Sequence, residues 1–196
     1  MTSRINQLIQ KANALLEYAS DLDNIEISHN ENLVTNELQI FDFDSTLSHD
    51  GLPLPCVDIL REKLSAGIPC YICTAREGAE HAPFISSYLE GHGISFPLEN
   101  IFVVGEEPKS FTVEDLIEKH QPELCEFWDD LERNVEDVYK HCGSLVPELK
   151  INWLSRAIPG DLRKSIVSNP FDERIEEIPT IAERKIFRRM RKLSGI

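Results

Sequence analysis

Short apolar runs that end in polar tips, separated by stretches of helical period, restrict this chain to a layered α/β architecture. The runs fall at residues 38–43, 68–73, 101–104, 126–128 and 149–154, each suited to a buried strand and too short for a core helix. Residues 55–66, 82–90, 111–120 and 131–141 between them read as helices. Pro55 opens the first and Gly67 follows its end, while Leu116 and Ile117, then Val135 and Val138, mark the inward faces of the last two. Strands alternating with helices imply a central parallel sheet, covered on both faces and joined by right-handed crossovers. The expected fold is a three-layer α/β sandwich.

The polar tips carry the chemistry. Asp42, Asp44 and Thr46 lie two residues apart, so an extended strand end sends them the same way, beyond the carboxyl edge where open parallel sheets bind ligands. Alone, the pattern is weak, because an Asp/Ser/Thr turn that bonds its own backbone has the same sequence. The later tips decide between the two. Thr74 and Arg76 close the second run with a hydroxyl and a cation, each suited to a phosphate oxygen. Lys109 follows the third run, and Asp129 with Asp130 closes the fourth as a paired acidic tip suited to a hard cation. Carboxylates, hydroxyl, lysine and carboxylates at successive strand ends form a signature of phosphoryl transfer. Two alternatives stay open: one of Asp129 and Asp130 caps the following helix, and Arg76 meets either a second phosphate or an acid of the protein itself.

With these tips in place the chain resembles the haloacid dehalogenase superfamily of phosphohydrolases over roughly residues 37 to 155. The resemblance implies that Asp42 is the nucleophile, Asp44 the general acid and base, and Thr74 and Lys109 the remaining catalytic groups. It implies Mg2+ held by Asp42, the Asp44 region, Asp129 and Asp130, with Phe43, Thr46 and Arg76 on the substrate. It also implies a strand order of 3-2-1-4-5, counted from the strand that carries Asp42. Within the superfamily, Cys73-Thr74-Ala75-Arg76, and Trp128-Asp129-Asp130 with Arg133, Val135 and Val138, look like the phosphatase domain of polynucleotide kinase-phosphatases and RNA-repair-associated relatives. Ala75 stands where those enzymes carry Gly, and Leu131-Glu132 separates the aspartates from Arg133.

The stretches from Asp44 to Thr74 and from Thr74 to Lys109 are used up by one helix, one strand and their loops, leaving no room for a large cap domain. An open site of this kind suits a large phosphorylated substrate, such as a nucleic-acid end or a phosphoprotein. The expected activity is that of a magnesium-dependent phosphomonoesterase acting through an aspartyl-phosphate on nucleic-acid 3′-end or nucleotide phosphates. A protein or small-metabolite phosphatase is the alternative. An alternative of another class is a non-catalytic binding module of the same fold that docks a partner through residues 184–192.

Charge bears on the partners. The 196 residues carry a formal charge of −14, which opposes extended contact with a polyanion. Residues 184–192 nevertheless hold six cations, which read either as a solvated helical end or as a docking patch. No apolar segment approaches the length that spans a bilayer, so a cytoplasmic enzyme without membrane contact is expected. The five cysteines read as reduced core residues, Cys70 and Cys73 included. Three regions result: an N-terminal helical appendage over 1–36, with Ile5, Leu8, Ile9, Ala12, Leu15 and Leu16 at helical spacing; a catalytic core over 37–160; and a C-terminal extension with a basic helical tail over 161–196.

Overall fold

The computed structural model of the protein describes residues 36–168. In chain order these form β1 (Glu37–Phe41), the short strands β2 (Ser48–His49) and β3 (Leu52–Pro53), α1 (Cys56–Ser65), β4 (Cys70–Thr74) and α2 (His81–Gly91). A 3-10 turn (Leu98–Asn100) leads into β5 (Ile101–Val103), α3 (Lys109–His120), β6 (Leu124–Asp129), α4 (Glu132–Cys142), β7 (Glu148–Leu154) and β8 (Leu162–Val167). The expectations for the N-terminal helix over 3–20 and for the basic run over 184–192 lie outside the described residues.

The main sheet has the order β5-β4-β1-β6-β7-β8. The first five of these strands are parallel to their neighbours, and numbering them alone along the chain gives the expected 3-2-1-4-5. β8 closes the edge antiparallel to β7, with Asn152 opposite Ser165. A short connection after β7 returns the chain along the free edge of that strand. The Ser165 hydroxyl donates to Asn152 Oδ1 at 2.8 Å and ties the added strand down.

Side-chain alternation divides the core between the two faces of the sheet. Leu38, Ile40, Tyr71, Cys73, Phe127, Leu149 and Ile151 point one way and pack with Val113, Leu116, Val135 and Val138 of α3 and α4. Phe41, Ile72 and Trp128 point the other way, towards Val57 and Leu60 of α1 and Ile85 and Leu89 of α2. Helix, sheet and helix make the three expected layers. Each fully buried Leu, Ile or Phe contributes about 1.5–3 kcal/mol, so the strands are fixed in depth as well as in order. The face alternation also splits Cys70 from Cys73. All five cysteines are buried and none forms a disulfide, and burial pushes the thiols of Cys56, Cys70 and Cys73 up to about 12.

Between Asp44 and Thr74 stand only the β2/β3 hairpin and α1, and between Thr74 and Lys109 only α2, the 3-10 turn and β5. No cap domain is inserted at either place. Among the described residues no helix is long and apolar enough to cross a membrane.

Candidate active site

Asp42 directly follows β1, Thr74 ends β4 and Asp129 ends β6. Because Phe41 lies level with Ile72 on one side and Trp128 on the other, these three carboxyl ends share one edge of the sheet. Lys109 reaches the same edge as the first residue of α3. Its entry is set by Pro108, whose φ of −56° suits the start of a helix, and by the Ser110 N–H, which donates to Asp137 of α4 at 3.1 Å. The helix begins two residues before the expected 111, and that shift places the ammonium group over the carboxylates.

Lys109 Nζ donates to Asp42 Oδ1 at 2.5 Å and to Asp129 Oδ2 at 2.7 Å. Lys109 and Asp129 are almost wholly buried, at 2% and 0% exposure, so this contact is shielded from solvent and screened little by salt. Asp129 Oδ1 accepts from the Leu131 N–H at 2.8 Å, and Asn134 Nδ2 donates to both of its oxygens, at 3.1 and 3.0 Å. Asp129 thus fixes the turn into α4 and joins the cluster at once. Asp130 is held differently: Arg156 Nε lies 3.1 Å from its Oδ2, and its backbone carbonyl accepts from Trp153 Nε1 at 3.2 Å.

Asp42, Asp129 and Asp130 are all buried, and each offers an oxygen within 4.8 Å of the others'. Two cations, Lys109 and Arg156, face these three carboxylates. The imbalance shows in the proton affinities. Burial pushes the Asp42 carboxyl from 3.8 up to about 7, the charge of Asp129 adds to the rise, and Lys109 and the Phe43 N–H oppose it. Asp130 is also raised, by burial and then by Asp129, against the pull of Arg156. Lys109 is raised as well: burial disfavours its charge, but Asp42 and Asp129 more than offset that. Hard oxygen donors with an excess of negative charge fit a small divalent cation.

A stability test follows from Asp42. Its carboxyl holds its proton more tightly folded than unfolded, so between 3.8 and about 7 the native chain binds the extra proton. This group's contribution to stability is therefore fullest at low pH and is lost as pH rises through that window, by an amount on the order of a few kcal/mol. Urea unfolding in EDTA at about pH 5 and about pH 8 should show this fall in the wild type and lose this component in Asp42→Asn.

Asp44 stands apart from the buried cluster. Its carboxylate is half exposed and takes both forks of Arg76, from Nε at 2.8 Å and from Nη2 at 2.7 Å. The guanidinium also lies 4.9 Å from the Phe43 ring and 5.0 Å from the Phe84 ring. The group of carboxylates whose oxygens lie within 4.8 Å of one another does not include Asp44. The extended strand ends at Phe41, and Ser45, with φ of +60°, turns the chain immediately after Asp44. Arg76 thus pairs with an acid of the protein itself, Asp44.

The other expected substrate residues, Phe43 and Thr46, are interior, as is Thr74 of the expected catalytic groups. Phe43 packs edge-on against Phe84 and Tyr88, and its N–H serves Asp42. Thr46 is fully buried, with a hydroxyl that has no hydrogen-bond partner among the described residues. Thr74 is buried at the strand end, where its hydroxyl accepts from the Arg76 N–H at 3.4 Å. Sequence reasoning missed Asn134 and Arg156. The signal for Asn134 was a polar residue in the first turn of α4, beside the inward Val135; Arg156 sits in a loop without any such pattern.

No family model and no curated protein matches the chain. Among solved structures it is similar to NagD from E. coli K-12, at 15% identity over 53% of this chain and 39% of that one, with a TM-score of 0.28. It is similar to p-nitrophenyl phosphatase from Archaeoglobus fulgidus at 15% identity over 58% and 40%, with a TM-score of 0.30. A 4-nitrophenylphosphatase from Thermotoga maritima gives 15% identity over 52% and 49%, with a TM-score of 0.29. The chain thus spans between 39% and 49% of the length of these three structures, and likeness at this level says nothing of its activity.

Proposed function

We propose that the chain is a magnesium-dependent phosphomonoesterase of the haloacid dehalogenase type, working through an acyl phosphate on Asp42. The observation that carries this reading is the buried Asp42–Lys109–Asp129 contact at the carboxyl edge of the sheet, with Asp130 beside it. A lysine placed between two interior carboxylates keeps one of them oriented while lowering the repulsion an incoming phosphate would meet. Asp42, Asp129 and Asp130 would hold the magnesium. When bound, it supplies further positive charge against the approach of a carboxylate to a phosphoryl group.

The chain's own groups then divide the reaction into two displacements. An Asp42 oxygen bonds to phosphorus as the bond from phosphorus to the substrate's alcohol oxygen breaks. Asp44, at the exposed rim, gives that oxygen its proton. In the second step Asp44 takes a proton from a water whose oxygen bonds to phosphorus, and the bond from Asp42 to phosphorus breaks, which restores the carboxylate. Thr74 and Arg76 flank the path of the phosphate. Arg76 holds Asp44 in one orientation until a substrate anion competes for the guanidinium, so substrate entry and release of the acid/base are linked.

The test is phosphate release from a simple aryl phosphate by the full chain. Magnesium should support release and EDTA should stop it. Equal release with and without the metal would overturn the metal requirement, and no release from any phosphomonoester would overturn the activity.

A further inference from the structure

Two clefts flank the carboxylate cluster, and they carry opposite charge. One, of about 540 Å³, lies towards β5 and is lined by Glu77, Glu106, Glu107 and Asp137 against Lys109 and Arg133. The other, of about 930 Å³, lies towards β7 and β8, where Arg133, Arg156 and Arg163 face Asp130 and Glu132 beside Trp153. In a chain with 34 acidic residues, three arginines around one cleft mark it as the side open to anions.

The arginines are arranged rather than scattered. The Arg163 guanidinium lies 4.0 Å from the centre of the Trp153 ring. The indole is itself anchored by its N–H on the Asp130 carbonyl. The contact with the ring holds Arg163 in place, and the residue stays exposed on its outer side. Neither Arg163 nor Arg133 has an ion-pair partner among the described residues, although acids outnumber bases in the chain. Arg156 extends the row to the cluster, through its 3.1 Å contact with Asp130. The row therefore runs from a carboxylate of the reaction centre to a guanidinium held over an aromatic ring.

We infer that this second cleft binds the alcohol part of the substrate, and that this part has the chemistry of a nucleotide: a second phosphate, met by the arginines, next to a planar ring that stacks on Arg163. The inference rests on the phosphomonoesterase reading and deepens it. Guanidinium groups suit a phosphate through paired N–H donors and suit a base through their flat face. The acidic cleft on the opposite side excludes the same group by repulsion, which gives the substrate one direction across the edge of the sheet. A free nucleoside bisphosphate and the phosphorylated end of an oligonucleotide share this chemistry.

Binding separates the inference from turnover. The full chain carrying Asp42→Asn, which leaves ligand intact, is titrated with adenosine 3′,5′-bisphosphate, with a 3′-phosphorylated oligonucleotide and with phenyl phosphate. The expected result is that at least one nucleotide ligand binds about tenfold or more tighter than phenyl phosphate, and that Arg163→Glu removes that advantage. A preference for the bisphosphate identifies a free nucleotide, and a preference for the oligonucleotide identifies a strand end. Arg163 is exposed on the edge strand, and circular dichroism of the variant checks that the fold is kept. Equal binding of all three ligands, or an advantage that survives Arg163→Glu, overturns the inference. Failure of the phosphatase reading shows up elsewhere, as absence of phosphate release from aryl phosphate by the chain with Asp42 intact.

Discussion

Asp42→Asn should lower phosphate release by at least about a thousandfold, because the amide cannot form the acyl phosphate on which both displacements depend. The same change should leave the chain as stable as before, or more stable, at neutral pH. Asp42 is a buried carboxyl whose proton affinity has been pushed up to about 7, so its charged form is held at a cost. Removing that charge leaves Lys109 in a one-to-one pair with Asp129 at 2.7 Å. Loss of activity with no loss of thermal stability is a combination that a purely structural role for Asp42 does not produce. Turnover rates and melting temperatures on one preparation check it.

Lys109→Met should instead unfold easily. It leaves Asp42 and Asp129 facing each other in the interior with no ammonium between them, and breaking a buried ion pair from one side costs about 3–5 kcal/mol. That is a large share of the roughly 5–15 kcal/mol that keeps a domain folded. The loss should be smaller in acid, where Asp42 is protonated, and the added change Asp42→Asn should recover part of it. Urea unfolding of the two single variants and the double variant measures the coupling directly. Additive effects would mean that the contact carries no interaction energy.

The residues that meet at the sheet edge were legible because each is tied to an apolar run. Once Leu38 to Phe41, Cys70 to Cys73 and Cys125 to Trp128 are buried as neighbouring parallel strands, Asp42, Thr74 and Asp129 have nowhere else to go. The order of the strands came from resemblance and not from any residue, since alternation says which face a side chain takes and not which strand lies beside it. Alternation does not reach Asp44: it applies only while the backbone is extended, and the strand stops at Phe41.

β8 was not legible for a related reason. Arg163, Lys164 and Ser165 occupy its middle, and an edge strand with exposed side chains needs no apolar pattern to pair with β7. Arg156 is held to Asp130 by tertiary contact alone. On the face of the sheet opposite α3 and α4, the polar residues Gln39, Glu126 and Asn152 are buried as well. Trp128 Nε1 donates to Gln39 at 3.1 Å, and Asn152 donates to Glu126 at 2.9 Å, a ladder whose partners lie on separate strands. Pairings of that kind become visible only when the register is known.

The most direct test of the account is to stop the wild-type chain in acid during turnover of an aryl phosphate with magnesium, reduce it with borohydride and map the peptides by mass spectrometry. An acyl phosphate is reduced to an alcohol, so the account predicts homoserine at position 42, dependent on substrate and on magnesium. Phosphate release that proceeds with no modification at residue 42, or with the modification at another carboxylate, would contradict it.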